Sequence, residues 1–179
     1  VVLWTNEKVA QVSFRFSTFK SGTSELSPGI AQARFVRYVM TDSFGKGCDA
    51  ERNPQKYPAS LSPDMLDNLT CFDIPSRTVR PVWISIDIPA ETQAGIYRGT
   101  LSVLIKGKTK QKLNLEIEVQ NKVLPPPAQW TYHLDLWQHP TAVARWHNVP
   151  VWSNKHYEHL YPVMKMLADD GQKVITANL

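Results

Sequence analysis

Three consecutive prolines, Pro125 to Pro127, divide the sequence into two regions with different patterns. Proline fixes its own φ and has no backbone N–H, so this tripeptide cannot join a central strand and favours a stiff, extended linker. Apolar and polar residues alternate before it, whereas four of the six tryptophans follow it, between Trp130 and Trp152. We therefore predict a first domain at residues 1–124, a linker at residues 125–129 and a second domain at residues 130–179.

The composition is that of a folded globular protein and excludes several functional classes. Of the 179 residues, 42% are hydrophobic and 20% are charged, which argues against disordered and fibrous chains. The net charge of +4 is spread along the chain except for Lys106 to Lys112, in a predicted hairpin turn, where lysine commonly protects strand edges. No apolar run approaches the roughly 18 residues of a membrane helix. We expect no nucleic-acid partner and no membrane span.

Alternation with a period of two predicts that the first domain consists of antiparallel strands, each with one buried face. The predicted strands are Gln11 to Phe16, Ala33 to Met40, Val82 to Ile88, Tyr97 to Ile105 and Leu113 to Val119, the last two forming a hairpin around Gly107. Several short strands of this kind are typical of a β-sandwich, and we predict a mainly β fold of the immunoglobulin-like or jelly-roll-like type.

Between Thr41 and Val79 the alternation weakens and prolines and glycines accumulate. We predict a long ordered loop there, with one short helical turn near Pro63 to Leu69. The only cysteines, Cys48 and Cys71, have no zinc-ligand spacing. Two alternatives stay open for them: a disulfide across this loop, as an exported protein would permit, or two buried free thiols.

The second domain is predicted to contain a strand, a helix and another strand. The strands are Trp130 to Trp137 and Lys173 to Leu179, and the helix lies between Ser153, a favourable N-cap, and Gly171, a favourable stop. Pro162 should kink or restart this helix. The order strand, helix, strand is that of the βαβ unit of a parallel sheet or barrel. Because one such unit cannot bury its helix alone, we expect either that residues 130–179 are the start of a (β/α)8 barrel truncated after its second strand, or that the unit packs on the sandwich.

In a barrel of this kind the active site lies at the C-terminal ends of the strands. The first predicted strand ends near Asp135, Trp137 and Gln138, which we take as candidate substrate-binding residues. An indole, a carboxylate and an amide suit a sugar, whose apolar face stacks on aromatic rings while its hydroxyls form hydrogen bonds. The alternative is that Asp135 is a structural hydrogen-bonding partner and that Trp137 belongs to the core.

Other polar residues give weak signals. All five histidines follow the linker, but no metal-binding motif is present, and we expect His156 and His159 on the exposed side of the helix. Asp169 and Asp170, the only adjacent acidic pair, lie at a helix C-terminus, where two anions oppose the helix dipole. We interpret that pair as solvated surface, and we expect no metal and no cofactor.

Four segments, in this order, resemble glycoside hydrolase family 123. They are LWTNEKVAQVSF, ARFVRYVMTD, RPVWISIDIPAETQAGIYRGTLSV, and HLDLWQHPTAVARWHNVPVWS continuing through MKMLADDGQKVITA. The resemblance covers nearly the whole chain. It implies an N-terminal β-sandwich followed by a (β/α)8 barrel that acts as a β-N-acetylgalactosaminidase.

The resemblance also implies a mechanism. Members of the family are retaining enzymes in which the 2-acetamido group of the substrate is the nucleophile. An adjacent Asp-Glu pair assists it: the Asp orients the acetamido group and the Glu serves as general acid and then base. This sequence contains no Asp-Glu dipeptide, so no catalytic residue can be assigned and we expect the chain alone to be inactive.

The implied partners are a glycan, bound by the rest of the barrel, and a C-terminal catalytic domain on which the sandwich packs. The implied location is periplasmic or secreted, in a bacterium. Two alternatives remain for the sandwich. It is either a carbohydrate-binding module with exposed Trp4 or Trp83 as a stacking platform, or a structural domain that supports the barrel.

Overall fold

The computed structural model describes residues 1–41 and 60–177, and the chain divides into two compact units, Val1–Asn121 and Lys122–Leu179. The strands of the first unit are β1 (Val2–Thr5), β2 (Val9–Phe16), β3 (Phe19–Ser21), β4 (Ser24–Leu26), β5 (Ala31–Thr41), β6 (Ser60–Leu66), β7 (Phe72–Ile74), β8 (Thr78–Ile86), β9 (Gly95–Ile105) and β10 (Lys108–Val119). The α-helices of the second unit are α1 (Pro140–His147) and α2 (Asn154–Asp169). The described chain is therefore mainly β, as predicted.

The strands of the first unit form two antiparallel sheets. One has the order β1-β8-β5-β6; the other has the order β4-β3-β9-β2-β7, with β10 paired to β9. Side chains from both sheets meet in one buried cluster: Phe35 and Val82 come from the first sheet, and Val12, Ile74 and Val103 from the second. This shared core is consistent with the predicted β-sandwich.

The hairpin between β9 and β10 is confirmed. Its ladder runs from the pair Ile105–Lys108 to the pair Gly95–Val119. Lys106 and Gly107 form the turn, and both have positive φ, 49° and 74°. Two positive φ values are what a two-residue turn needs to match the twist of its strands. The predicted strands Gln11 to Phe16 and Ala33 to Met40 lie within β2 and β5. The strand predicted at Val82 to Ile88 overlaps β8, which ends two residues earlier at Ile86, so that Ile88 is exposed.

The predicted loop between Thr41 and Val79 is wrong where the structure describes it. Instead of a helical turn near Pro63, β6 pairs with β5, and β7 follows it. Proline is tolerated there because β6 is an edge strand, and the register shifts where Tyr38 lies opposite Pro63. Cys71 is exposed, contrary to one of the two alternatives, and Cys48 lies outside the described residues.

In the second unit, α2 is confirmed, but the two predicted strands are not. Ser153 caps α2 by accepting a hydrogen bond from the backbone N–H of His156, and the helix continues through Pro162 without restarting. Over residues 130–177, the two predicted strands are represented by a single parallel bridge between Gln138 and Ala177. Neither helix in the described residues is long and apolar enough to cross a bilayer.

Helix α1 was not predicted from the sequence. Its start has Pro140 in the first turn, where the missing N–H costs no hydrogen bond. It ends at Asn148, which takes the left-handed conformation with φ 51° and ψ 48°. These are two ordinary signals of helix boundaries, and the dense aromatic residues around them obscured the helical period.

Candidate functional site

The candidate site lies in the second unit, where residues 135–139 run parallel to residues 172–177. The backbone N–H of Gln138 donates to the carbonyl of Thr176, with 2.7 Å between the nitrogen and the oxygen. The side chain of Gln172 joins the segments at the other end. Its Oε1 accepts from the N–H of Leu136 at 3.2 Å, and its Nε2 donates to the carbonyls of Leu136 and Val174 at 3.1 and 2.7 Å.

Gln172 explains why the two segments do not form a regular ladder. Its buried amide satisfies both backbone groups of Leu136, so these groups are not available to a neighbouring strand. An unpaired backbone group in such a place would be costly, and the side chain removes that cost. This amide therefore holds one end of residues 135–139 in position, and the bond between Gln138 and Thr176 holds the other.

Asp135 is half-buried and is held by Thr176. Its Oδ2 accepts a hydrogen bond from Oγ1 of Thr176 at 2.9 Å. Its Oδ1 is buried and has no hydrogen-bond partner among the described residues. The bond to Thr176 is the structural role considered in the sequence analysis.

Trp137 and Gln138 differ in exposure. Trp137 is 76% exposed in this chain. Gln138 is half-buried, and its Nε2 donates to the carbonyl of Leu136 at 2.6 Å. Asp135 and Gln138 thus both contact Thr176, whereas Trp137 presents an open aromatic surface to solvent. That these three residues bind substrate stays a prediction.

A pocket of about 360 Å³ lies beside Gln138, between the two helices and residues 175–177. Its walls are mainly apolar and include Val143, Trp152, Leu160 and Ile175. Such a pocket accepts apolar or aromatic groups and offers little to charged ones.

His156 is the polar residue that the sequence analysis placed wrongly. It was expected on the exposed side of α2, but it is fully buried, at 0% exposure. Its Nδ1 accepts from the N–H of Trp152 at 2.9 Å, and its Nε2 lies 2.8 Å from the carbonyl oxygen of Pro140. Because an amide N–H can only donate and a carbonyl oxygen can only accept, the ring carries its proton on Nε2.

This histidine ties the start of α2 to the start of α1. Pro140 follows Gln138 by two residues, so the bond from His156 also fixes the end of the candidate segment. The spacing to Leu160 is a signal that could have revealed it, since residues i and i+4 share one face of a helix and Leu160 is buried too.

Two further pairs of side chains lie toward the surface of the second unit. The rings of His147 and His159 stack with centroids 3.7 Å apart, which links α1 to α2. Asp169 accepts from Lys165 at 2.6 Å, and this hydrogen bond, together with the charge of Asp169, raises the pKa of Lys165. Within residues 1–41 and 60–177, no three His, Cys, Asp or Glu side chains converge into a potential metal site.

Comparison with known proteins identifies the family. The model of the glycoside hydrolase 123 N-terminal domain matches residues 1–105, and the model of the glycoside hydrolase 123 catalytic domain matches residues 137–179. No match was found among curated proteins.

One similar solved structure is a family 123 glycoside hydrolase from Clostridium perfringens, described in a study of glycolipid glycan hydrolysis. The TM-score is 0.82 at 23% identity, covering 97% of this chain and 30% of the other. At that identity the likeness shows the fold alone, and this chain spans 30% of the length of that protein. Since the N-terminal model covers residues 1–105 of 179, more than half of the sequence, the chain belongs to glycoside hydrolase family 123.

Proposed function

We propose that this chain is the N-terminal domain and the beginning of the catalytic domain of a bacterial enzyme that removes terminal β-linked N-acetylgalactosamine from glycans. The observation that carries the proposal is the order of the two family 123 matches, at residues 1–105 and 137–179, on either side of the prolines at 125–127. The proposed location of the enzyme is the periplasm or the extracellular space.

The proposed reaction is retaining and assisted by the substrate. The acetamido oxygen attacks the anomeric carbon while the glycosidic bond breaks, and a glutamic acid gives its proton to the departing oxygen. This attack closes an oxazoline ring between the acetamido group and the anomeric carbon. Water, deprotonated by the same glutamate, then attacks the anomeric carbon and opens the ring. A neighbouring aspartate holds the acetamido group. The 179 residues contain no adjacent Asp and Glu, so the proposed acid and base lie outside them and this chain alone should not hydrolyse the substrate.

The proposed contribution of this chain to the catalytic domain is its first strand–helix–strand unit. The parallel bridge between Gln138 and Ala177 is the pairing expected of two neighbouring barrel strands. In that arrangement Asp135, Trp137 and Gln138 lie near the end of the first strand, where barrel enzymes bind substrate. The exposed indole of Trp137 would stack on a sugar ring, while Asp135, through its bond to Thr176, would hold the end of the strand in place.

The exposed apolar side chains of α2 support a larger catalytic domain. Tyr157, Tyr161 and Met164 follow one another at helical spacing along α2, and all three are exposed in this chain. Ile175, across the pocket, is exposed as well. We expect the remaining barrel elements to cover them, because apolar surface of this kind usually marks an interface. The sandwich is proposed to pack on the completed domain.

The test is hydrolysis of 4-nitrophenyl N-acetyl-β-galactosaminide by this chain and by a longer form that includes the complete catalytic domain. Release of nitrophenol by the longer form only is the expected result, and the α-anomer is the control for stereochemistry. In the longer form, Trp137→Ala should raise KM more than it lowers kcat, with Trp146→Ala as the matched exposed control. Hydrolysis by the 179-residue chain, or by neither form, would contradict the proposal.

A further inference from the structure

Two tryptophans lie on the outer face of the sheet β1-β8-β5-β6. Trp4 of β1 is 64% exposed and Trp83 of β8 is 57% exposed. Trp4 is opposite Val79 of β8, and Val79, Pro81 and Trp83 alternate on the same face of that strand. The intervening Val82 is buried in the core, so both indoles are on the side that faces away from the core.

Three apolar residues, Val2, Val79 and Pro81, form an apolar floor between the two indoles. Trp83 follows Val79 by four residue steps along β8, a distance of about 13 Å at the rise of an extended strand. Val2 and Pro81 lie opposite each other between them. Because every one of these residues belongs to a paired strand, the spacing of the indoles is fixed by the ladder rather than by a loop.

Polar side chains border this floor on the next strand. Arg34 of β5 is directly opposite Trp83, and Gln32 is opposite Ser85. Arg34 forms no ion pair with any residue that the structure describes. Its guanidinium and the amide of Gln32 can therefore donate to a ligand that lies on Trp83.

We propose that Trp4 and Trp83 form a platform that binds a short neutral oligosaccharide along β8. The C–H faces of two sugar rings would stack on the two indoles, and their hydroxyls would accept hydrogen bonds from Arg34 and Gln32. The distance between the indoles suits a chain of several sugars rather than one. This is a binding activity of the first unit, and it does not depend on the hydrolysis proposed above.

The size of the apolar floor favours a glycan over a protein partner. Two strands wide and about 13 Å long, the floor covers on the order of 130 Å², whereas each partner in a stable protein interface buries about 800 Å². A second copy of the chain and a lipid surface are the other occupants that the test must separate.

The test uses the whole 179-residue chain on an array of neutral and acidic oligosaccharides of increasing length. Binding is expected to strengthen from monosaccharide to oligosaccharide, and the best ligand is then titrated against variants. Trp4→Ala and Trp83→Ala should each weaken the affinity for this oligosaccharide about tenfold, and Arg34→Ala should weaken it less. Trp146→Ala is the control: it removes an 85% exposed tryptophan of the second unit and should leave the affinity unchanged.

A direct readout keeps the test independent of folding defects in the variants. In the unmodified chain, the indole N–H signals of Trp4 and Trp83 should shift on addition of the best oligosaccharide, and the other four should not. Binding of no saccharide at millimolar concentration, or shifts confined to other tryptophans, would overturn the proposal. The proposal would also be overturned if the chain dimerised, or bound phosphatidylcholine vesicles, and if Trp83→Ala abolished that association.

Discussion

The two units are stabilised by different kinds of side chain. The buried hydrophobic residues of the described chain lie in the first unit, with only two exceptions, Ala144 and Leu160. Each unit buries two polar residues, Asp67 and Ser102 in the first and His156 and Gln172 in the second. In the second unit, where few apolar residues are buried, both polar side chains bond to backbone groups. The first unit therefore depends mainly on apolar burial, and the second on a few directed hydrogen bonds.

This difference bears on how each unit tolerates change. A hydrophobic core spreads its free energy over many contacts, so a single truncation costs in proportion to the volume removed. A hydrogen bond to a buried backbone group has no substitute, and its loss leaves that group unsatisfied. We expect mutations in the two units to differ in kind, and the following experiments are ordered by the size of the expected effect.

The largest effect is expected for Phe35→Ala. This ring is buried between the two sheets and lies 5.2 Å from the ring of Phe14 and 5.3 Å from that of Phe72. Its removal should lower the free energy of unfolding of the first unit by about 3 to 5 kcal/mol. Urea denaturation, monitored by hydrogen exchange in each unit, measures this loss of free energy. Trp83→Ala, which removes an exposed ring, should cost less than about 0.5 kcal/mol; equal losses would contradict the core assignment.

A smaller effect, confined to the second unit, is expected for His156→Ala. The change leaves the N–H of Trp152 and the carbonyl of Pro140 without partners, at about 2 to 4 kcal/mol in total. Faster amide exchange at the starts of both helices is the expected result, with exposed His133→Ala as the control. In the unmodified chain, 15N spectra of the ring should show the proton on Nε2, and a proton on Nδ1 alone would contradict the geometry.

Gly171→Ala tests the close contact at the end of α2. Gly171 has φ of 96°, and a Cβ there would lie 2.6 Å from Cε3 of Trp130. Strain and overlap together should cost about 1 to 3 kcal/mol. Gly107→Ala is the matched control, because it has φ of 74° but no atom within 4 Å of the added methyl group. If thermal unfolding shows the same loss for both variants, the contact with Trp130 contributes nothing.

The first unit was largely predictable because its signal is local. Alternation in Val82 to Ile88 and on both sides of Gly107 already identifies the buried faces of β8, β9 and β10. The strand at Ser60–Leu66 was missed because Pro63 argues against a strand unless the strand is known to lie at an edge. That knowledge depends on pairing with β5, a contact between distant parts of the chain.

The second unit was less predictable because its main contacts join side chains to distant backbone groups. Ser153 and Gly171 gave the ends of α2 correctly, since caps are local. No local sequence pattern predicts that the side chain of Gln172 will bond to the backbone of Leu136, or that the ring of His156 will bond to the carbonyl of Pro140. For the candidate residues Asp135 and Trp137, the sequence left both a substrate-binding role and a structural role open. The bond between Asp135 and Thr176 could not be predicted because it depends on how the two segments pair.

The smallest expected effect is a dependence of the first unit on acid. The carboxylate of Asp67 is buried and accepts from Nε and Nη2 of Arg37 at 2.8 and 2.6 Å. The hydrogen bond from Arg37 and its positive charge hold the pKa of Asp67 below its usual value, and the N–H of Leu69 adds to this. A lowered pKa means that the unfolded chain binds the proton more tightly, so acid favours unfolding.

The stabilisation from Asp67 should therefore be complete above the ordinary carboxyl pKa of about 3.9 and disappear as the pH falls through the lower value of the folded chain. Urea midpoints of the first unit, measured from neutral pH down to pH 3, should fall less steeply in Asp67→Asn than in the unmodified chain. Asp169→Asn, in the exposed pair with Lys165, is the control and should leave the first unit unchanged. Identical pH profiles for Asp67→Asn and the unmodified chain would mean that the pair of Arg37 and Asp67 adds nothing to a unit held together by its apolar core.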